Sequence, residues 1–121
     1  MLINLSNHPF DEWCETQRMI ATSFYGITED IIFPEIEPNL ITEEVKNLSA
    51  HYLEECIKIL RFSMDSINAV HISGEQCFVF HFVTLAKAQG INCVCSTTRR
   101  LVENEGNMKT SFFQFVQFRN Y

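Results

Sequence analysis

The sequence predicts an α/β domain with a mainly parallel sheet, flanking helices and a C-terminal antiparallel hairpin. Two observations carry this prediction. Up to about residue 95, short apolar runs alternate with segments of helical periodicity, the order that builds parallel strands joined by helical crossovers. After a turn-forming stretch at 103–107, residues 110–118 alternate in the manner of an antiparallel strand.

Four apolar runs predict the parallel strands. They cover residues 2–5, 30–33, 69–72 and 91–95. The last run is almost continuously apolar, which suits a central strand. In the hairpin that follows, alternation places Phe113 and Phe115 on one face, and Phe112, Val116 and Phe118 on the other. Because both faces carry aromatic side chains, we expect both to be covered, at a sheet edge or in a dimer contact.

Three helices are predicted between the strands. The first has Pro9 at its first position and runs to Tyr25, before Gly26. The second has Thr42 as its N-cap and continues to about residue 62 with one apolar stripe. The third covers residues 76–89, and it has so little polar surface that we expect it to be buried on most sides.

Size and composition are those of an ordinary globular domain, which we place at residues 1–121. The apolar fraction is 46% and the charged fraction 20%. No apolar stretch reaches the roughly 18 residues that cross a bilayer, and the N-terminus has no basic segment followed by an apolar one. We therefore expect a cytoplasmic location and no membrane partner. The five cysteines are an odd number in mostly apolar surroundings, which favours packing over a disulfide framework.

The charge is unevenly distributed. The net charge of −6 argues against binding to long nucleic acid, which needs a basic surface. Thirteen of the fifteen acids lie in residues 1–75, whereas five bases and two acids follow from Lys87 onward. A local positive site in an acidic protein is compatible with a small anionic ligand.

Three polar turns follow predicted strands. They are Ser6-Asn7-His8-Pro9, Ser73-Gly74-Glu75 and Ser96-Thr97-Thr98-Arg99-Arg100. Ligands of open α/β sheets collect at the carboxyl ends of the strands, and hydroxyls, backbone N–H groups and arginines suit a phosphate there. The turns therefore predict one anion site, in which Glu75 would accept a hydrogen bond from a base or ribose.

Each turn also has a plainer interpretation. The first two turns hold residue types that cap helices, with Ser73 as the cap of the third helix. The third turn would be a solvated hairpin arm, and if it continues as a strand, only one of Arg99 and Arg100 faces the pocket. His8 is a candidate general base or a surface residue, and we expect His71 to be packed and hydrogen-bonded. No residue spacing typical of a metal site is present, and no cofactor is expected.

The chain resembles the small CARF-like proteins that accompany type III CRISPR systems, some of which are ring nucleases that degrade cyclic oligoadenylate messengers. The similarity covers the order of strands and helices over roughly residues 1–100. Its motifs are a strand followed by Ser6, His8, Pro9 and Trp13, the Ser-Gly-Glu turn at 73–75, and the Ser-Thr-Thr turn at 96–98.

The resemblance implies a Rossmann-like fold and a homodimer with a cyclic oligoadenylate across its twofold axis. A ribose 2′-hydroxyl would attack the adjacent phosphorus without a metal ion. Arg99 or Arg100, with Ser96 and Thr97, would stabilise the developing charge. The other two turns and Thr98 would also contact the nucleotide. Within the first turn, Ser6, Asn7 and His8 would position the phosphate or assist proton transfer.

Two other functions remain open at this point. A sensor or sponge would hold the cyclic nucleotide in the same site without cutting it. An interaction protein would instead use the aromatic C-terminal hairpin as its interface.

Overall fold

The computed structural model describes residues 1–121. Strands and helices alternate up to the C-terminal hairpin, as predicted. A 3₁₀ turn at Phe10–Glu12 precedes the first helix. The elements are β1 (Leu2–Ser6), α1 (Glu15–Tyr25), β2 (Thr28–Ile32), α2 (Thr42–Leu60), β3 (Ala69–Ile72), α3 (Gln76–Ala88), β4 (Cys93–Glu105) and β5 (Met108–Asn120).

The five strands form one sheet in the order β2-β1-β3-β4-β5. The first four are parallel and β5 is antiparallel to β4, so the prediction of a mainly parallel α/β sheet with a C-terminal hairpin is confirmed. From β1 the chain first adds β2 on one side and then β3 on the other. The strand order therefore reverses between β1 and β3, whose carboxyl ends lie side by side. The connections that follow these two strands lead to opposite sides of the sheet.

Each face of the sheet is covered by helices. On one face, Ile3 and Leu5 of β1 pack with Phe78 and Phe82 of α3 in the larger core, which α2 completes. The other face carries a smaller core around α1. Its buried members are Leu2, Trp13, Ala21, Tyr25, Ala69 and Val94. Alternation along the strands produces this division, because neighbouring residues of a strand point to opposite faces. None of the three α-helices combines the length and apolar character needed to cross a membrane.

The starts of the first two helices differ from prediction. Pro9 leads into the 3₁₀ turn, after which Trp13 and Cys14 are extended and α1 begins only at Glu15. The extended backbone lets the Trp13 indole N–H donate to the His8 carbonyl at 3.0 Å, which links Trp13 to the turn that follows β1. In α2 the N-cap is Ile41 rather than Thr42, and the Glu44 carboxylate accepts the Ile41 N–H at 3.2 Å.

The prediction that α3 is buried on most sides is wrong. Its buried residues are Phe78, Phe82 and Ala86, which form one stripe, and Phe80 is 67% exposed. The sheet and α2 cover one side of this helix, and no further layer of the fold covers the other. The apolar residues beyond the stripe therefore face outward.

The C-terminal hairpin is longer than predicted and projects from the sheet. Because β3 pairs with β4 only as far as Val94, the later residues of β4 have β5 as their only neighbour. We call the part of the hairpin from Thr98 to Phe115 the ribbon. Both of its faces are largely exposed within one chain, with Phe113 exposed by 69%. Gly106, with φ of 58°, occupies the first position of the two-residue turn.

A β-bulge changes the faces of the hairpin. Thr97 pairs with Gln117 and Thr98 with Phe115, which leaves Val116 as an extra residue in β5. Phe118, opposite Ser96, therefore lies on the same face as Phe115, and their ring centroids are 5.0 Å apart. The prediction that Phe118 faces away from Phe115 is wrong because strict alternation does not continue through a bulge.

Gly74 is required by a close approach between two segments. A Cβ at this position would overlap the ring of Phe33, which is buried against Phe78 at a centroid distance of 4.9 Å. We expect Gly74→Ala to lower the free energy of unfolding by about 1–3 kcal/mol, the typical cost of overpacking. The measurement is urea unfolding followed by circular dichroism.

The matched control for this prediction is Gly90→Asn. Gly90 has φ of 74° and no atom within 4 Å of an added Cβ, and asparagine tolerates this left-handed conformation. Gly90→Asn should lower the free energy of unfolding by less than about 1 kcal/mol. Equal destabilisation by both variants would contradict the packing explanation.

Candidate functional site

A cavity of about 430 Å³ opens where the strand order reverses. It lies at the carboxyl ends of β1 and β3, beside the first half of β4, on the face of the sheet that α1 covers. Its walls combine hydroxyls, aromatic rings and a few ionisable groups. The lining residues are Ser6, His8, Glu12, Trp13, Cys14, Gln17, His71, Ser73, Ser96, Thr98, Phe113 and Phe115.

A row of polar residues crosses the sheet beneath the cavity. Asn4, at 1% exposure, is the register partner of His71, at 3% exposure, and Val94 of β4 is the next residue in that row. Ser6 and Ser96 lie two residues further along β1 and β4, and therefore on the same face. Three strands thus each place a polar side chain on a face that is otherwise apolar.

The Asn4 side chain connects this row by four hydrogen bonds. Its Nδ2 donates to Asp30 Oδ1 at 2.7 Å and to the His8 carbonyl at 2.8 Å. Its Oδ1 accepts from Ser6 Oγ at 2.8 Å and from His71 Nδ1 at 2.9 Å. Every donor and acceptor of a buried amide is therefore satisfied from within the protein.

The Asn4 amide determines the tautomer of His71. Since Oδ1 can only accept, the proton of the neutral imidazole is assigned to Nδ1, which leaves Nε2 as an acceptor. Ser96 Oγ lies 2.7 Å from Nε2 and therefore donates its proton to it. Gln17 Nε2 donates to the same Ser96 oxygen at 3.0 Å. The Ser96 hydroxyl is thus held in one orientation at the cavity wall.

Burial keeps His71 neutral. Desolvation lowers its pKa to about 4, and a nearby charge on His8 contributes a smaller part of the shift. The ring is packed edge-on against Trp13 and Phe118, with centroid distances of 5.0 and 5.6 Å. At neutral pH this histidine therefore presents a fixed, uncharged acceptor to Ser96.

The first polar turn is held by its backbone. The His8 carbonyl accepts hydrogen bonds from Asn4 Nδ2 and from Trp13 Nε1 at 3.0 Å, and the His8 N–H donates to Ser6 Oγ at 3.2 Å. The exposed His8 side chain is left at the cavity rim. Asp30 fixes the next residues, since its carboxylate accepts the Phe10 N–H at 3.0 Å.

The N-terminus of α1 reaches the cavity. Cys14, its N-cap, and Gln17, in its first turn, line the wall, and no side chain caps the helix. The first N–H groups of a helix have no partner within it and carry the positive end of its dipole. The helix start that faces the cavity is therefore at Cys14, instead of at the Ser6–Pro9 turn as predicted.

Sequence reasoning placed several residues that the structure brings together. Five of them line the cavity, namely Ser6, His8, Ser73, Ser96 and Thr98. Asn7 is exposed and lies outside the wall, and Gly74 packs against Phe33. Glu75, rather than Ser73, caps α3 by accepting the Cys77 and Phe78 N–H groups at 3.0 and 2.8 Å. These backbone bonds lower the pKa of Glu75 and occupy both of its oxygens.

The third turn is divided between the two faces of β4. The Thr97 hydroxyl donates to the Gln117 carbonyl at 3.1 Å and accepts the Gln117 N–H at 3.2 Å, beside the bulge. Arg100 pairs with Phe113, on the face of Thr98, whereas Arg99 pairs with Gln114 on the opposite face. As predicted for a strand, only one of the two arginines lies on the face of β4 that lines the cavity. Neither arginine lines the wall itself.

Sequence reasoning missed three residues of the network. Asn4 and Asp30 lay inside predicted strands and Gln17 inside a predicted helix, whereas His71 is packed and hydrogen-bonded as predicted. The available signal was a polar residue interrupting an apolar run, as Asn4 does in Leu2–Leu5. No group of three His, Cys, Asp or Glu side chains lies close enough to hold a metal ion.

Comparison with known proteins identifies a family. The model of the "Uncharacterized protein MJ1673 family" matches residues 1–119. The chain belongs to this family. No curated protein and no solved structure matches the chain significantly.

The buried histidine of this MJ1673 family member makes its stability depend on pH. An unfolded chain protonates His71 below about pH 6.5, whereas the folded protein does so only near pH 4. Between these values the unfolded state binds the extra proton, so the free energy of unfolding falls as the pH drops, by about 3 kcal/mol for this group.

The variant His71→Gln removes this contribution while the carboxylates that also titrate remain. Urea unfolding of both proteins at about pH 7 and about pH 4.5 should show a pH dependence that is shallower in the variant by about 2–3 kcal/mol. The same dependence in both proteins would mean that His71 is not neutral in the folded state.

Proposed function

We propose that the cavity binds a cyclic oligoadenylate and cleaves it by metal-independent attack of a ribose 2′-hydroxyl on the adjacent phosphorus. We also propose that the fold is Rossmann-like and related to the CARF-like proteins that the sequence resembles. The main support is the position of the cavity, at the carboxyl ends of β1 and β3, where the order of parallel strands reverses. Doubly wound sheets with this strand order bind nucleotides at that point.

The walls offer groups that suit a small nucleotide. Four hydroxyls line the cavity beside the uncapped start of α1, and since those of Ser6 and Ser96 donate to Asn4 and His71, the hydroxyls of Ser73 and Thr98 are the ones left to donate to a ligand. Hydroxyls and free helix N–H groups both donate hydrogen bonds to phosphate oxygens. The exposed ring of Phe113 provides flat apolar surface on which adenine stacks.

The cleavage step needs the 2′-oxygen in line with the scissile bond and positive charge near the phosphate. In this proposal Thr98 holds the phosphate, because the Ser96 proton is already donated to His71, and Arg100, on the cavity's face of β4, stabilises the developing charge. His8 is the exposed histidine at the rim and is assigned the proton transfer. Arg99 takes no part, since it points to the other face.

One observation favours a second function, a sensor or sponge that holds the cyclic nucleotide intact. The cavity wall contains no lysine or arginine, and it contains the acid Glu12. Binding can rely on stacking and neutral hydrogen bonds, whereas cleavage requires stabilisation of added negative charge. Arg100 is therefore the residue on which the choice between the two functions depends.

We further propose that two copies pair through the cavity face of the ribbon, which exposes Val102 and Phe113. An isolated two-stranded ribbon is marginally stable in water, so a partner that covers this apolar surface stabilises it. A twofold pair would also place two cavities around one symmetric ring.

The test of cleavage is incubation with cyclic tetra- and hexa-adenylate in EDTA, followed by chromatography. We expect linear fragments that end in a 2′,3′-cyclic phosphate. Arg100→Ala should slow cleavage at least about 100-fold, in the range found for lost transition-state donors. Arg99→Ala is the matched control and should cleave at the wild-type rate.

The other outcomes of this experiment are equally specific. Intact ligand that co-elutes with the protein identifies the sensor or sponge. Intact ligand that does not bind overturns both proposals. Cleavage that survives loss of both arginines overturns the assignment of Arg100.

The pairing is tested by sedimentation velocity. We expect the wild type to sediment as a dimer and Phe113→Asp to sediment as a monomer, because a charge cannot be buried unpaired in an apolar contact. The control Thr110→Asp places the same charge on the opposite face of the ribbon. A monomeric wild type would exclude the pairing.

A further inference from the structure

The hydrogen bonds at the cavity wall form a chain that begins at a carboxylate and ends at a serine. We propose that Ser96 is a nucleophile activated by His71 and Asn4, and that the cavity hydrolyses a small neutral carboxylic ester through an acyl intermediate on Ser96. This activity is distinct from cleavage of a cyclic nucleotide, and it rests on contacts that lie wholly within one chain.

The serine and histidine have the geometry of a nucleophile and its base. Ser96 Oγ donates to His71 Nε2 at 2.7 Å, within the range in which a base accepts the proton of an attacking hydroxyl. Gln17 donates to the same oxygen and leaves a lone pair free toward the cavity. Ser73, Ser6 and Thr98 line the same wall, yet none of them forms a hydrogen bond with His71.

The histidine is in turn oriented by a third group, as the nucleophile–base–orienter arrangement requires. Asn4 Oδ1 accepts from His71 Nδ1 at 2.9 Å and so fixes both the tautomer and the ring plane. Asp30 accepts from Asn4 Nδ2 at 2.7 Å. Because hydrogen-bonded groups polarise one another, the Asp30 charge strengthens the acceptor at Asn4 Oδ1, which stabilises a proton on His71.

The character of the cavity selects the substrate class. Its wall holds no cation and one carboxylate, so a neutral molecule enters at a lower electrostatic cost than an anion. The proposal assigns stabilisation of the developing oxyanion to the uncapped N–H groups at the start of α1, whose first turn includes Gln17, a hydrogen-bond partner of Ser96. The exposed ring of Phe113 offers apolar surface for the acyl or alcohol part.

The reaction balances without a further reactant other than water. Ser96 Oγ bonds to the carbonyl carbon as its proton moves to His71 Nε2. The ester C–O bond then breaks, and the alcohol leaves with that proton. Water attacks the acyl–Ser96 carbon and gives one proton to His71, which returns it to Ser96 as the carboxylic acid leaves.

The test uses a fluorophosphonate probe on the full chain, with intact-mass and peptide mass spectrometry. Ser96 Oγ should displace fluoride from phosphorus to give a single adduct on Ser96. Ser96→Ala should remove the adduct, and His71→Gln should slow labelling at least about 100-fold, the typical contribution of a general base. The control Ser111→Ala, on the exposed ribbon, should label as the wild type does.

Hydrolysis is measured on p-nitrophenyl butyrate before and after labelling, and it should disappear with the adduct. Asp30→Asn provides a second variant should His71→Gln fail to fold, and it should slow labelling because the polarising charge is gone. No adduct, an adduct on another residue, or labelling that is independent of both His71 and Asp30 would overturn the proposal. None of these measurements uses a cyclic oligoadenylate, so failure here is separate from failure of the nucleotide-binding proposal.

Discussion

The buried amide of Asn4 is the interaction on which the arrangement of this site depends. One side chain joins β1 to β2 through Asp30, to β3 through His71, and to the turn after β1 through the His8 carbonyl. When a buried amide loses a hydrogen-bond partner, its desolvation is no longer offset, and each unsatisfied group destabilises the fold by about 1–3 kcal/mol. Asn4 therefore stabilises the fold only when all of these segments are in register, which makes it a determinant of one structure rather than a general source of stability.

The Asn4 amide also fixes the orientation of side chains at the cavity wall. Because Asn4 determines which nitrogen of His71 carries the proton, it also determines that Ser96 donates rather than accepts. The backbone of three parallel strands positions these side chains, and strands in the middle of a sheet are among the stiffest elements of a protein. The site is therefore organised before any ligand arrives, which reduces the cost of ordering it on binding.

The sequence predicted the elements better than it predicted the contacts between them. The apolar runs and their turns located the parallel strands and the hairpin, because local periodicity is sufficient for that purpose. Pairing of Asn4 with His71 depends on parallel register between residues 67 apart in the chain, and no local pattern encodes it. The bulge at Val116 and the extended Trp13 were missed for a related reason, since each is stabilised by contacts with another segment.

Within the candidate site, the turns after the strands were recognisable, whereas the residues on the strand faces were not. Ser6, Ser73 and Ser96 were found because they follow apolar runs, and the network beneath them was hidden inside those runs. Glu75 and Arg99 illustrate the limit of residue type as a guide. Their chemistry suits a ligand, but a helix cap takes the first, and strand alternation turns the second away.

The cavity wall and the ribbon differ in charge, because the arginines of this region lie on the ribbon and none lies in the wall. The Asn4 amide beneath the cavity is fully hydrogen-bonded and the wall contains no lysine or arginine, while Arg100, on the cavity's face of β4, lies on a ribbon that is exposed on both faces. The rigid sheet therefore supplies orientation, and the ribbon supplies charge. Chemistry that needs only a fixed hydroxyl and a neutral base can proceed on the sheet alone. Chemistry on a phosphate needs the ribbon as well, and whatever covers the ribbon's apolar faces then controls that chemistry by fixing the position of Arg100.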